Sequence, residues 1–182
     1  MNIRPSLISR EIVHKNPWYQ VRHDTLQYPD HVGHYYVTET PKTVLIIAKQ
    51  GDAVLLVTQY RYTMEKDSLE FPSGTIKPGE TVENAARREL REETGFEATH
   101  LKMLGSFYSL NGFANNHVHV FYTNALRNKG KTHLDDSEQD LRIRWTKITD
   151  LPTLMLDQTI QDGESMAAWM LVLAEQAVKQ TI

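Results

Sequence analysis

The sequence predicts an α/β fold in which helices cover a mixed β-sheet, and its mixture of elements also allows the α+β class. Short apolar runs typical of strands recur along the 182 residues. An amphipathic helix follows the glycine- and proline-containing loop EFPSGTIKPGE, and a second helical pattern lies near the end of the chain. No repeat, low-complexity tract or linker divides the sequence, so we expect one domain over residues 1–182.

The strands are predicted in chain order from apolar runs and turn residues. Residues 18–28 and 34–39 form a strand pair around PDHVG, and residues 43–49 and 53–60 form a buried hairpin around Gly51-Asp52. Strands follow near 103–109, at 117–124 and at 141–147, and the last of these alternates like a half-buried strand. Helical spacing from about 164 to 179 predicts a packed helix with a buried face made of Met166, Met170, Leu173, Ala174 and Ala177.

The central helix is predicted over residues 81–94. Thr81 is a suitable N-cap, and Gly95 is suited to end the helix because glycine readily adopts the left-handed conformation. At about 100° per residue, one side of the helix carries an apolar stripe that should face the core. The stripe consists of Val82, Ala85, Ala86 and Leu90.

Two glutamates fall inside that stripe. Glu89 and Glu93 lie one turn apart on the inward face and Glu92 at its edge, whereas the opposite side carries Asn84, Arg87, Arg88 and Arg91. Two charges 5 Å apart repel by roughly 3 kcal/mol at an effective dielectric constant near 20. A hard cation such as Mg²⁺ would compensate, because it accepts carboxylate oxygens and leaves room for water and phosphate. The alternative is a solvated surface helix.

The loop before the helix contains Gly74, Pro78 and Gly79, which fix or free particular backbone angles. A strand–loop–helix of this kind brings backbone carbonyls close to the helix carboxylates, which suits a hard cation. Taken alone, the loop is better explained as an ordinary turn.

Composition excludes several other classes of function. The net charge of −3 and the lack of a long basic run argue against a nucleic-acid partner. The chain has no cysteine, which excludes disulfides, thiol nucleophiles and cysteine metal sites. It shows neither a signal-peptide core nor a run long enough to span a bilayer, so we expect a cytoplasmic protein without a membrane partner.

Gly74, Glu80 and the run RELREETGF (88–96) match every fixed position of the 23-residue Nudix box. The chain therefore resembles a Nudix hydrolase, which implies an α/β/α sandwich around a mixed sheet with a catalytic core at 43–180. NPWYQVRHDTL, HYYVTET, QYRY, EFPSG, YSLNGFANN and RIRW are similar to the ADP-ribose pyrophosphatase and nucleotide-sugar hydrolase branch.

This resemblance implies metal-dependent hydrolysis of a nucleoside diphosphate sugar, such as ADP-ribose to AMP and ribose 5-phosphate. It implies two or three Mg²⁺ ions, for which Mn²⁺ substitutes. It also implies an N-terminal antiparallel sheet, within about residues 1–40, that helps to build a homodimer. The alternatives are a sensor module that binds ADP-ribose without hydrolysing it and a sanitiser of damaged nucleoside triphosphates.

The resemblance assigns the metal ligands as Glu89, Glu92, Glu93 and the backbone carbonyl of Ser73. Arg88 would orient Glu92 or Glu89 rather than touch the substrate.

The substrate contacts are likewise implied by the resemblance, each with a structural alternative. Arg61 would contact the pyrophosphate, since a guanidinium fork suits phosphate oxygens, unless it is a surface arginine. Glu70 would bind a metal water or ribose, or would form a structural ion pair. Trp18, and Tyr35 or Tyr36, would sandwich the base, with core packing as the competing role.

The resemblance implies that the general base lies in the acidic loop LDDSEQD (134–140), which by itself would be a solvated turn. The corresponding family position falls on or beside Gln139, which cannot take a proton. Glu138 is therefore the first candidate, Asp140 the second and Asp136 the third. A box glutamate such as Glu92, or a metal-bound hydroxide, would serve if none of them reaches the substrate.

Two positions depart from the pattern of ADP-ribose specialists. Asn111, itself a candidate substrate contact, replaces a proline, and Asn116 replaces an acidic residue. These departures leave GDP-mannose and other nucleotide sugars open as substrates.

Overall fold

A computed structural model describes residues 4–130, 132, 134 and 139–181. The chain forms two compact units. The first contains the described residues up to Lys42 together with Tyr108–His117, and the second contains Thr43–Phe107 and the described residues from Val118 onward. Within the described ranges, no helix combines the length and the apolar character needed to cross a membrane.

The first unit is built on a three-stranded antiparallel sheet of β1 (Ser6–Lys15), β2 (Gln20–Gln27) and β3 (Val32–Glu39), in that order. The predicted pair of strands around PDHVG is confirmed, as is the antiparallel N-terminal sheet. All ten residues of β1 are exposed, including Leu7, Ile8, Ile12 and Val13.

A buried aspartate anchors one face of this sheet. Asp24 is only 5% exposed, and its two carboxylate oxygens accept hydrogen bonds from Arg10 Nε at 2.7 Å and Arg10 Nη2 at 2.9 Å. The hydrogen bonding to Arg10 lowers the pKa of Asp24 despite its burial. The ion pair therefore links β1 to β2.

The second unit begins with β4 (Thr43–Gln50), β5 (Ala53–Arg61), β6 (Lys66–Glu70), β7 (Ser73–Thr75) and α1 (Val82–Thr94). The later elements are β8 (Phe96–Ala98), β9 (Lys102–Tyr108), β10 (His117–Thr123), β11 (Leu126–Asn128), β12 (Arg142–Lys147), α2 (Leu151–Leu156) and α3 (Gly163–Thr181). The last residue of β9 and the first residue of β10 are assigned to the first unit. The main sheet runs β12-β5-β4-β10-β9, with β6 paired to β5 and β7 to β4. Because β4 is parallel to β10 and antiparallel to β5, the sheet is mixed, as predicted.

Strand β4 is buried on both faces and separates two cores. Val44 and Ile46 pack in the cluster that contains Leu90 of α1, whereas Leu45 and Ile47 pack in the cluster that contains α2 and α3 residues. Helices thus cover both sides of the sheet, and the predicted α/β/α sandwich is confirmed.

The predicted C-terminal helix exists, but of the five residues predicted on its packed face only Met166 packs against the core. The side chains that α3 buries are Ser165, Ala168, Trp169 and Val172. Met170 and Leu173 are 60% and 41% exposed. Trp169 determines the orientation because it stacks on Phe71, with ring centroids 6.3 Å apart, and offers the largest apolar surface to the core.

Strand β12 is likewise found where expected, but its alternation does not bury the apolar residues. Ile143 and Trp145 are 45% and 36% exposed, whereas Thr146 is buried. Because β12 is the last strand in the order of the main sheet, its burial depends on what packs over that end of the sheet and not on its own alternation alone.

Candidate active site

Helix α1 places two carboxylates in the interior of the second unit. Its N-cap Thr81 accepts a hydrogen bond from the Asn84 N–H at 3.2 Å, and Gly95 ends it in the left-handed conformation with φ 73°. Glu89 is 7% exposed and Glu93 4% exposed. The inward orientation derived from the helical wheel is confirmed, so these glutamates do not belong to a solvated face.

The loop before α1 lies directly against these carboxylates. Residues Ser73 and Gly74 are in β7, which pairs with β4. The Ser73 N–H donates to Glu93 Oε2 at 3.2 Å, and a Cβ added at Gly74 would lie 2.2 Å from both Cδ and Oε1 of Glu89. Only glycine allows the loop backbone and the Glu89 carboxylate to approach this closely.

Arg88 does not point away from the carboxylates, which corrects the orientation expected from the helical wheel. Its guanidinium binds both carboxylate oxygens of Glu80 at 2.9 Å, Glu89 Oε1 at 2.7 Å and Glu92 Oε2 at 2.9 Å. The wheel gives the direction of Cβ, whereas the long arginine stem carries the charge around the helix. The hydrogen bonds to Glu80 raise the pKa of Arg88 and lower that of Glu80.

A second ion pair lies on the neighbouring strands β5 and β6. Arg61 Nε donates to Glu70 Oε1 at 2.9 Å, and Arg61 Nη2 donates to Glu70 Oε2. Glu70 is 6% exposed, and the hydrogen bonding to Glu70 raises the pKa of Arg61, to which the charges of Glu93 and Asp162 also contribute. Arg61 is thus held in the electrostatic field of the Glu93 side chain.

The acidic loop is only partly described. Glu138 and Asp136 lie outside the described residues. Asp140 is exposed, and its Oδ2 accepts a hydrogen bond from the Tyr60 N–H at 2.7 Å, next to Arg61 in the chain. That contact attaches the end of the acidic loop to β5.

The predicted base-stacking residues belong to the first unit, and all are well exposed. Trp18 is 75%, Tyr35 44% and Tyr36 58% exposed, so none of them is a core residue. Tyr35 donates from its hydroxyl to the Gly112 carbonyl at 2.9 Å.

The same unit contains an aromatic cavity that was not predicted from the sequence. A cavity of about 320 Å³ is lined by Tyr35, Val37, Tyr108, Asn111, Phe113, Ala114 and Asn115. The signal that could have found it is the density of aromatic and amide side chains in FYSLNGFANN.

The buried donors of the second unit fit a divalent cation. Glu89 and Glu93 are one turn apart, and the close approach at Gly74 adds loop backbone to their surroundings. Carboxylate and peptide oxygens are the donors that Mg²⁺ prefers, and Mg²⁺ commonly keeps several waters. Among the residues that the structure describes, no three His, Asp or Glu side chains are already grouped to hold a metal.

The sequence profile of the NUDIX domain matches residues 39–170. The chain belongs to the Nudix family. It is an enzyme, a Nudix hydrolase, and the resemblance seen in its sequence is confirmed.

This Nudix hydrolase is similar in sequence to bacterial hydrolases and in fold to a solved structure. An ADP-ribose pyrophosphatase of Bacillus subtilis is 27% identical over 144 residues, covering 79% of this chain and 78% of the relative. The ADP compounds hydrolase NudE of Escherichia coli is 26% identical over 172 residues, covering 93% and 91%. The crystal structure of an ADP compounds hydrolase shares the fold, with a TM-score of 0.85, 22% identity and coverage of 98% and 97%.

Proposed function

We propose that this Nudix hydrolase cleaves the pyrophosphate linkage of nucleoside diphosphate sugars in a reaction that depends on Mg²⁺, or on Mn²⁺ in its place. ADP-ribose would give AMP and ribose 5-phosphate, and GDP-mannose is a further candidate. The observation that carries the proposal is the pair of buried carboxylates, Glu89 and Glu93, against Ser73 and Gly74. The names of the relatives support ADP-containing substrates.

The ions, proposed to number two or three, would be held by Glu89, Glu92, Glu93 and the Ser73 carbonyl. When bound, they neutralise the pyrophosphate and activate a water for attack on phosphorus. Arg88 positions Glu89 and Glu92 through its hydrogen bonds to both.

Arg61 would bind the pyrophosphate, because a guanidinium offers more donors than one carboxylate uses. Glu70 takes the Nε and Nη2 donors and fixes the plane of the group. Neither of these contacts uses Nη1, whose donors would face a phosphate oxygen. In this assignment Glu70 is a positioning residue for Arg61.

Glu138 remains the first candidate for the general base and Asp140 the second. The Asp140 carboxylate already accepts a backbone hydrogen bond through Oδ2, which favours a role in holding the loop. Comparing the pH profiles of kcat for Glu138→Gln and Asp140→Asn would assign the base. The variant that loses the acidic limb of the profile lacks the base.

The substrate base would stack on Trp18 and on Tyr35 or Tyr36, with Asn111 as a further contact. We also propose that residues 1–182 act as one domain in the cytoplasm and that the strands within residues 1–40 form a homodimer. The half-exposed Leu7, Ile8, Ile12 and Val13 of β1 support self-association, since they place apolar surface in water. Light scattering after gel filtration would test the dimer.

The activity test is phosphate release, coupled to a phosphatase, from ADP-ribose, GDP-mannose and other nucleotide sugars in Mg²⁺. We expect turnover of at least one of these substrates and a large loss in Glu93→Gln. Glu83→Gln is the matched control, because Glu83 lies on the same helix, is exposed and pairs with Arg87.

Two other outcomes of this activity test would point to a different function. Binding of ADP-ribose without turnover by folded protein would indicate a sensor module and refute the proposal. A higher kcat/KM for deoxynucleoside triphosphates than for every nucleotide sugar would indicate a sanitiser.

A further inference from the structure

Two histidines and a glutamate converge on one face of the sheet in the first unit. Glu11 of β1 is the cross-strand partner of His23 in β2, and His23 is the partner of Tyr36 in β3. His34 lies two residues before Tyr36, so its side chain is on the same face and diagonal to His23. The Arg10–Asp24 pair belongs to the opposite face.

The His23 side chain contacts Glu11 through one ring nitrogen and His34 through the other. His23 Nδ1 lies 2.9 Å from Glu11 Oε1, and His23 Nε2 lies 3.0 Å from His34 Nδ1. Tyr36 stacks on the His23 ring at a centroid distance of 4.6 Å and an interplanar angle of 10°. The stacking and the carboxylate together fix the orientation of the His23 ring.

Glu11 determines which nitrogen of His23 carries the proton in the neutral ring. An ionised carboxylate can only accept, so the proton lies on Nδ1 and the lone pair on Nε2. That lone pair points toward His34. A histidine that donates one N–H to a carboxylate while its other nitrogen remains a ligand is the usual arrangement around protein-bound transition metals.

The separation of the two histidine nitrogens also fits a shared metal. Two nitrogens bound at 2.0–2.1 Å, with an angle between about 90° and 110° at the metal, lie roughly 2.9–3.4 Å apart. The observed 3.0 Å falls within this range. In the structure the two nitrogens face each other at hydrogen-bond distance, so metal binding requires the Nε2–H tautomer of His34 and ring rotations that turn both lone pairs toward the ion.

We propose that His23 and His34 bind a late first-row transition metal such as Cu²⁺, Ni²⁺ or Zn²⁺, with Glu11 positioning His23. Imidazole nitrogens suit these ions rather than Mg²⁺. Among the described residues, no third His, Asp or Glu joins these two histidines to form a metal-binding group, so water would complete the coordination. The site lies in the first unit, and its residues differ from the carboxylates proposed for hydrolysis.

The experiment is a Cu²⁺ titration of the full chain at about pH 8, where free imidazoles are neutral, in saturating Mg²⁺ to occupy the carboxylates. We expect one equivalent to bind, with an electron paramagnetic resonance spectrum showing two nitrogen ligands. His34→Gln keeps a hydrogen-bonding partner for His23 and should lose one nitrogen and at least tenfold in affinity. Glu11→Gln should weaken binding about tenfold, as loss of such a carboxylate commonly does.

The control is His31→Gln, since His31 contacts Asp30 and Tyr28 rather than this cluster. It should bind Cu²⁺ as the wild type does, and circular dichroism should show all variants folded. Absence of binding in the wild type, or a folded His34→Gln variant that binds as tightly with an unchanged spectrum, would overturn the proposal.

Discussion

Replacing Gly74 by alanine tests whether the position of the Glu89 carboxylate controls the reaction. The added Cβ would lie 2.2 Å from Cδ and Oε1 of Glu89 and 2.5 Å from Oε2, whereas ordinary contact begins at 3.4 Å. The carboxylate must therefore withdraw by about 1.2 Å. Because it is the end of a flexible side chain, it can move without displacing α1.

The effects on stability and activity should separate. Inserting a methyl group into a packed site costs about 1–3 kcal/mol, and rotation of Glu89 should keep the cost at the low end. A displacement of about 1 Å in a positioned catalytic group reduces the rate by about 10²-fold. We expect kcat for the best nucleotide sugar to fall about a hundredfold, while the urea midpoint falls only by the amount that corresponds to about 1 kcal/mol.

The matched control is Gly105→Ala, whose Cβ would make only an ordinary 3.5 Å contact with Leu171. It should retain wild-type kcat. Gly74→Ala combined with Glu89→Gln should be little worse than Glu89→Gln alone, because both changes act through one carboxylate. A folded Gly74→Ala variant with kcat within threefold of wild type would refute this reasoning.

Three further changes test other parts of the structure. Thr81→Ala removes the N-cap bond of α1 and should cost about 1 kcal/mol in urea unfolding, whereas an unchanged midpoint would deny the cap a role. The fold lowers the pKa of the Asp24 carboxyl. The ionised carboxylate therefore stabilises the folded protein above the unfolded-state pKa near 3.9, and this stabilisation is lost as the pH falls through the folded-state pKa. Asp24→Asn should therefore flatten the loss of stability on acidification, measured as urea midpoints from about pH 6 to 3. Arg61→Met removes the ion-pair partner of the buried Glu70 and should lower the free energy of unfolding by about 1–3 kcal/mol. The partial exposure of Arg61 should keep the loss toward the lower end of that range. The double variant Arg61→Met/Glu70→Leu should recover part of the lost stability.

Local chemistry explains why α1 and the inward glutamates could be predicted. Thr81 and Gly95 fix the ends of the helix through their own backbone and side-chain preferences. Between fixed ends, the period of 3.6 residues determines which side chains share a face, and burial of Leu90 then turns Glu89 and Glu93 inward. No information about distant parts of the chain was needed.

Tertiary packing explains what the sequence could not give. The face of α3 depends on the match between Trp169 and Phe71, and several of its faces are apolar enough to be buried. The exposure of Ile143 depends on the place of β12 in the sheet. The contact between Gly74 and Glu89 joins residues fifteen positions apart through the pairing of β7 with β4. The spacing of apolar residues along the sequence carries no information about these tertiary contacts.

The charges around α1 connect the corrected position of Arg88 to the proposed chemistry. Arg88 binds Glu80, Glu89 and Glu92, and Glu93 contacts the Ser73 N–H. Arg88 thus brings one positive charge to the three carboxylates that it binds. A single arginine can orient such a cluster but cannot neutralise it, and partly desolvated anions are costly without cations. Arg88 therefore holds Glu89 and Glu92 in place, and divalent ions would supply positive charge beyond what one guanidinium brings to three carboxylates.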